Sequence, residues 1–316
     1  MIAILGGLGA AFLWAAANLA SARSSRIIGA SSALGWMMLV GLVVTAPLVP
    51  FAGPLPPLTP ALAFWLAASG LGSVIGLFFV YRGLRIGKVG PVLAIASTEG
   101  AIAAVVAVIA GERLTIPVAL MLGVIAVGIA VVALATGDAA EANGAAGAAG
   151  AAGAAGDHGV TATAGLTAAS PVLRPGRSAE RQATLFGTAG AIAFGFSIYG
   201  TAQAGLSLPI IIAIMPARVA GVTLVFVPMA LAGRLRMTRR AAPLVVITAL
   251  GEVLGNVAYV VGARESIAIA AILACQYAAV GAVAAFFLFR ERLSLLQRSG
   301  VVAIALGVAI LTAVRT

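Results

Sequence analysis

A short charged break between two long apolar runs occurs twice in this chain. It reads Gly111-Glu112-Arg113-Leu114-Thr115 and returns as Arg290-Glu291-Arg292-Leu293-Ser294, with Glu112 and Glu291 lying 179 positions apart. At that offset Gly83 falls on Gly262, Arg85 on Arg264, Ala103 on Ala282, Ile125 on Ile304, Ala126 on Ala305, Gly128 on Gly307 and Ala130 on Ala309. The chain is a duplication, and whatever it folds into is built from two copies of one unit.

The runs beside each break are close to the ~20 apolar residues that cross a bilayer. Composition agrees: 62% of the residues are hydrophobic, 9% are charged and the mean hydropathy is +1.15. A soluble domain carries about 25% charged residues, so this chain lacks the charge to clothe a water-facing surface. Its 316 residues would otherwise suggest two soluble domains.

Ten spans are expected: Ile2–Ala22, Ser31–Val49, Ala61–Tyr81, Pro91–Ala110, Pro117–Ala135, Ala183–Ala204, Pro209–Leu231, Pro243–Gly262, Ile267–Leu288 and Leu295–Val314. Pro91, Pro117, Pro209 and Pro243 suit first helical turns, where no backbone donor is lost. No run alternates with period two over many short segments, which argues against an outer-membrane barrel. Ala20-Ser21-Ala22 has the form of a signal-peptidase site, but no basic residue precedes the first run and its removal would leave one half a helix short. It is expected to stay.

Between the fifth and sixth spans, Gly144 to Gly156 reads GAAGAAGAAGAAG. The period of three is collagen-like, but the tract has no proline, and a flexible linker is the expectation. The reading is therefore an all-α integral membrane protein of ten transmembrane helices in two five-helix repeats, 1–136 and 183–316, joined by an Ala/Gly-rich linker at 137–182. An odd number of helices per repeat inverts the second relative to the first. Gly72 and Gly76, Gly123 and Gly128, and Gly300 and Gly307 are expected to let helix backbones approach closely.

The net charge of +10 is not a nucleic-acid signal, because the basic residues sit in short clusters between spans. Arg23, Arg26, Arg82, Arg85, Lys88, Arg234, Arg236, Arg239, Arg240, Arg290 and Arg292 fall in odd-numbered loops, with Arg298 just past the ninth loop in the first turn of the tenth span, and the positive-inside rule places those loops in the cytoplasm with both termini outside. The single cysteine, Cys275, lies in an apolar run, and the single histidine, His158, lies in the linker. No intrachain disulfide, metal site or cofactor is expected.

Ten spans in two inverted halves, with a Glu-Arg-Leu break after the fourth span of each, resemble the drug/metabolite transporter superfamily, specifically the EamA-type permeases. Phe12-Leu13-Trp14-Ala15 resembles that family's opening motif, and Phe194-Gly195-Phe196-Ser197 is its echo. Met215-Pro216-Ala217-Arg218 resembles the arginine-bearing start of a second helix, and Tyr81-Arg82-Gly83-Leu84-Arg85 the segment after a third. The sequence departs from the pattern at Gly35-Trp36, where an arginine would stand, and in the uncharged loop Pro50–Pro60. The resemblance implies termini in the cytoplasm, opposite to the charge bias. It also implies secondary transport of small metabolites such as amino acids or drugs, often outward, across the cytoplasmic membrane.

Charges inside spans are functional candidates by default. Glu252 shares a helical face with Asn256 and Tyr259, and a carboxyl on such a stripe could carry a coupling proton. Glu99 lies about nine residues into the fourth span. Arg218 is the natural partner for one of the two acids. Trp14 and Asn18 share a face of the first span, Tyr199 and Gln203 one of the sixth, and Gln276 and Tyr277 are adjacent in the ninth. In an inverted-repeat transporter such groups converge near the midplane. Helix–helix hydrogen bonding is the competing role for each. Glu112 and Glu291, at helix ends beside arginines, are read as capping and interfacial groups. A membrane scaffold or subunit remains an alternative, as does a lipid-modifying enzyme, although the latter needs a polar catalytic cluster that the sequence does not offer. The expected partners are a small-molecule substrate and the lipid bilayer.

Overall fold

The computed structural model describes residues 1–86, 92, 95–143, 177–277, 279–280, 299–300, 302–304, 306–308, 310 and 313. The second charged break, 290–294, and the linker's central part, 144–176, lie outside the described residues. The structure is all-α, with no strand among the described residues. Helix α1 spans Ile2–Ile28, α2 Ala30–Thr45 with a 3₁₀ extension Ala46–Phe51, α3 Pro60–Ile86, α4 Glu99–Ile109 and α5 Ile116–Asn143. Helix α6 spans Arg177–Ser207, α7 Ile210–Leu231, α8 Ala242–Ala263 and α9 Ile267–Ala274. Helical residues also occur within the expected tenth span, at 299–300, 302–304, 306–308, 310 and 313.

Among the described residues, six helices are long and apolar enough to cross a membrane: α1, α2 with its extension, α3, α6, α7 and α8. This is a multi-pass membrane protein. The fourth expected span departs from expectation, because the described residues turn at Ser97–Thr98 and the continuous helix begins only at Glu99. The ninth turns likewise at Cys275–Gln276, and its remainder from 281 lies outside the described residues. Helix α5 runs on to Asn143 and α6 starts at Arg177, so the segment expected as linker, 137–182, is helical at both ends. In α7 a π-helical turn, Val222–Phe226, follows Pro216, which removes a backbone donor inside the helix.

Two antiparallel helix pairs form the centre: α1 along α8, and α3 along α6. Both are built on glycine. A Cβ added at Gly251 would meet Ala17 and Leu13, one at Gly255 the Trp14 indole, and one at Gly262 the backbone of Ala3 and Gly6. On α3, Gly72 faces Ala193 and Ser197, Gly76 the Phe194 ring, and Gly83 Ala183 and Phe186. Gly72, Gly76 and Gly83 map onto Gly251, Gly255 and Gly262 at the same offset of 179. Small residues let backbones approach where lipid offers no hydrophobic drive. Trp14 thus plays on α8 the part that Phe194 plays on α3. The motif echo would have given that part to Phe196, which is instead partly exposed.

The seams differ in polar content. Across α3–α6 the Ser69 and Thr201 hydroxyls are 2.6 Å apart and those of Ser73 and Ser197 2.9 Å, and Ser197 also donates to the Ser69 carbonyl at 2.7 Å. Across α1–α8 the Thr248 hydroxyl reaches the Ala17 carbonyl at 3.3 Å. At one end of the bundle Ile28, Ala33, Ala241 and Val245 cluster, which brings Arg23 and Arg26 to the same end as Arg239 and Arg240.

Candidate functional site

Helices α4 and α9 pack against each other where each is interrupted. A Cβ on Gly100 would lie 2.6 Å from the Cys275 sulfur and 2.7 Å from the Ala271 carbonyl oxygen. Both interruptions tighten through an i to i+3 bond, from the Thr98 amide to Ile95 and from the Gln276 amide to Leu273. Ser97 and Gln276 correspond at the repeat offset. Non-helical backbone at membrane depth is tolerated where protein or a water-filled cavity surrounds it.

Glu99 is the first residue of the resumed α4 and is fully buried. Its Oε1 accepts a hydrogen bond from the Tyr277 hydroxyl at 3.2 Å and a long contact from the Cys275 thiol at 3.9 Å. Trp14 packs against both Tyr277 and Tyr259, with ring centroids 6.1 Å apart in each pair. The Tyr259 hydroxyl donates to the Ile198 carbonyl of α6 at 3.1 Å. Trp14 Nε1, Asn18 Nδ2 and Gln276 Nε2 are buried and have no hydrogen-bond partner among the described residues. Leaving a buried donor unpaired costs ~1–3 kcal/mol, so each of these three calls for a partner.

Arg218 and Glu252 form a second polar cluster. Their closest nitrogen–oxygen distance is 3.9 Å and both are 1% exposed. Arg218 Nη1 also reaches the Met38 sulfur at 3.7 Å, and a Cβ on Gly41 would lie 3.2 Å from Arg218 Cδ. Of the two intramembrane acids, Glu252 is therefore the arginine's partner. The shared face of Glu252, Asn256 and Tyr259 fans outward. Glu252 turns to α7, the Asn256 amide donates to the Glu252 backbone carbonyl at 2.8 Å, and Tyr259 turns to α6.

A third group lines a cavity of about 290 Å³ at the bundle end that carries Met1. Tyr199, Gln203, Glu112, Arg264, Glu265 and Ser266 contribute to its wall. Tyr199 is buried, with its ring 4.9 Å from that of Trp65. The Arg264 guanidinium donates to the Gly205 and Leu208 carbonyls at 2.9 and 3.1 Å, satisfying the C-terminal end of α6. Glu265 accepts from the Met1 ammonium at 2.8 Å and the Ala3 amide at 2.9 Å, and these contacts hold its carboxyl below the ordinary 4.5. Glu112 caps α9, accepting from the Ser266 hydroxyl and, at 3.2 Å, from the Ala268 amide. The sequence signal for that cap is only half visible. Ser266 is a residue type that favours an N-cap, but nothing ties it to an acid 154 positions away.

Residues 1–134 match the model of the EamA-like transporter family. A solved crystal structure, described only as that of a protein, superposes with a TM-score of 0.69 at 15% identity, covering 99% of this chain and 96% of that one. At that identity the likeness establishes a shared fold. No curated protein matches the chain.

Proposed function

We propose that this chain, whose residues 1–134 match the model of the EamA-like transporter family, is a proton-coupled secondary transporter that exports small metabolites across the cytoplasmic membrane by alternating access. The observation that carries the reading is Glu99, a fully buried acid at the junction of two interrupted helices, held by Tyr277. Interrupted helices meeting at the midplane are the usual site architecture of inverted-repeat transporters. The matched glycine registers of α1–α8 and α3–α6, both antiparallel, support two inverted five-helix repeats with this junction on their shared axis.

On this reading Glu99 carries the proton, and Trp14, Asn18, Tyr259, Gln276 and Tyr277 meet the substrate. Protonation removes the acceptor charge that Tyr277 serves, so the two helix breaks are free to separate. Arg218 and Glu252 form a buried pair that ties α7 to α8 while the halves rock. The one-sided arginines support odd loops in the cytoplasm, so the cavity at Tyr199 opens outward.

The test compares metabolites outside cells that overproduce the wild type, Glu99→Gln or Glu252→Gln at matched levels in the membrane. A compound enriched outside with the wild type and lost with Glu99→Gln establishes export through this site. Unchanged enrichment with Glu99→Gln removes Glu99 from the mechanism.

A further inference from the structure

The cavity at the Met1 end holds chemistry that packing does not use. Tyr199 is 2% exposed, lines the cavity and has no hydrogen-bond partner for its hydroxyl among the described residues. Gln203, one turn further along α6, lines the same wall and likewise has no partner among them. Of the three charged groups in the wall, two are committed: Arg264 to the carbonyls that end α6, and Glu265 to the Met1 ammonium and the Ala3 amide. Glu112 is the third. An ionised carboxylate accepts about four hydrogen bonds, and Glu112 takes those of Ser266 and Ala268 while half-buried at the cavity wall.

We propose that this cavity is an ammonium-binding site, distinct from the Glu99 junction, in which Glu112 takes the cation and Tyr199 and Gln203 orient it, and that occupancy is relayed to the junction through α9. A cation is favoured because the available charge is a carboxylate, and charge-assisted bonds are about twice as strong as neutral ones. The relay follows from the position of α9. Glu112 caps its first turn, and the turn directly after its last residue delivers Tyr277 and Cys275 to Glu99. The eight residues Ile267–Ala274 between them are all buried and span ~12 Å. A cation that draws Glu112 away from Ser266 and Ala268 leaves the N-terminus of α9 with only the Ser266 hydroxyl as cap, accepting from the Ile269 amide at 3.3 Å, and the loosened helix moves as one body.

This inference rests on the transporter reading for its purpose, but its test needs no transport. Benzylammonium chloride and sodium benzoate are titrated calorimetrically into the full chain in zwitterionic nanodiscs. The alkylation rate of Cys275, the chain's single cysteine, is followed with N-ethylmaleimide. Benzylammonium is expected to bind saturably and benzoate not. Glu112→Gln should weaken binding roughly tenfold or more, and Tyr199→Phe roughly threefold to tenfold. Saturating benzylammonium should change the alkylation rate severalfold in the wild type and leave it unchanged in Glu112→Gln. Equal binding of benzoate, or wild-type affinity in Glu112→Gln, overturns the site. Should Glu112→Gln fail to fold, undiminished affinity in Tyr199→Phe, which keeps the α9 cap, overturns it equally. Binding without any change at Cys275 overturns the relay. Loss of transport in Glu99→Gln alongside such a failure would leave the transporter reading standing.

Discussion

Replacing Gly255 by alanine puts a methyl group where the Trp14 indole already lies. The added Cβ would sit 2.3 Å from Nε1 and 2.4 Å from Cδ1, against 3.4–4 Å for ordinary contact. The indole must withdraw by about 1 Å, and it is already packed against the Tyr259 and Tyr277 rings, whose centroids are each 6.1 Å away. Forcing a methyl into a packed core costs ~1–3 kcal/mol. Alanine also gains up to ~1 kcal/mol over glycine in a helix, which would mask part of that cost. Gly123→Ala supplies the reference, because a Cβ there meets no atom of the described residues within 4 Å. The difference between the two variants isolates the clash and should be roughly 5- to 150-fold in the unfolding equilibrium, with Gly255→Ala the weaker. Gly76→Ala, whose Cβ would lie 2.7 Å from the Phe194 ring, should fall in the same range. The assay is reversible unfolding in mixed micelles with increasing dodecyl sulfate, followed by loss of helicity. Equal midpoints for Gly255→Ala and Gly123→Ala would refute the glycine seam and the equivalence of Trp14 with Phe194.

Three further outcomes are expected in the same assay or close to it. Glu252→Gln should destabilise the fold by ~3–5 kcal/mol, because it removes the charge that faces Arg218 across the buried pair, whereas the double variant Arg218→Met, Glu252→Leu should recover most of that loss; an additive double variant argues against the pair. Ser73→Ala and Ser197→Ala should be non-additive by ~1 kcal/mol in a double-mutant cycle, since their hydroxyls share one bond across the α3–α6 seam; strict additivity contradicts the bond. Glu265 has a folded pKa below its ordinary 4.5, held there by the Met1 ammonium and the Ala3 amide. Its contribution is therefore present at neutral pH and lost as pH falls through the folded value. The stability gap between wild type and Glu265→Gln should close on acidification, and a gap that widens is the contrary result.

The paired breaks at Glu112 and Glu291 were legible because charge is scarce in this chain, so both stand out against apolar surroundings. Span limits followed closely where proline and charge mark them, as in the expected Pro243–Gly262 against the observed Ala242–Ala263. Inside the spans the signal fades. An almost uniformly apolar helix satisfies the bilayer in any register, so the opening motif suggested Phe196 where packing on Gly76 selects Phe194. The turns at Ser97–Thr98 and Cys275–Gln276 carry no proline or glycine to announce them. Glu99, Arg218 and Glu252 were visible as charges in lipid, but their pairing depends on helix contacts between residues more than 30 positions apart. The cap of α9 by Glu112 is of the same kind.

The most direct measurement takes the compound that the export comparison identifies and loads it into proteoliposomes with an imposed pH gradient. The wild type should release it faster when protons are supplied from the opposite side. Glu99→Gln should release it at a rate indifferent to the gradient while remaining folded and inserted. A gradient response that persists in Glu99→Gln would contradict the assignment of the proton to the junction of α4 and α9.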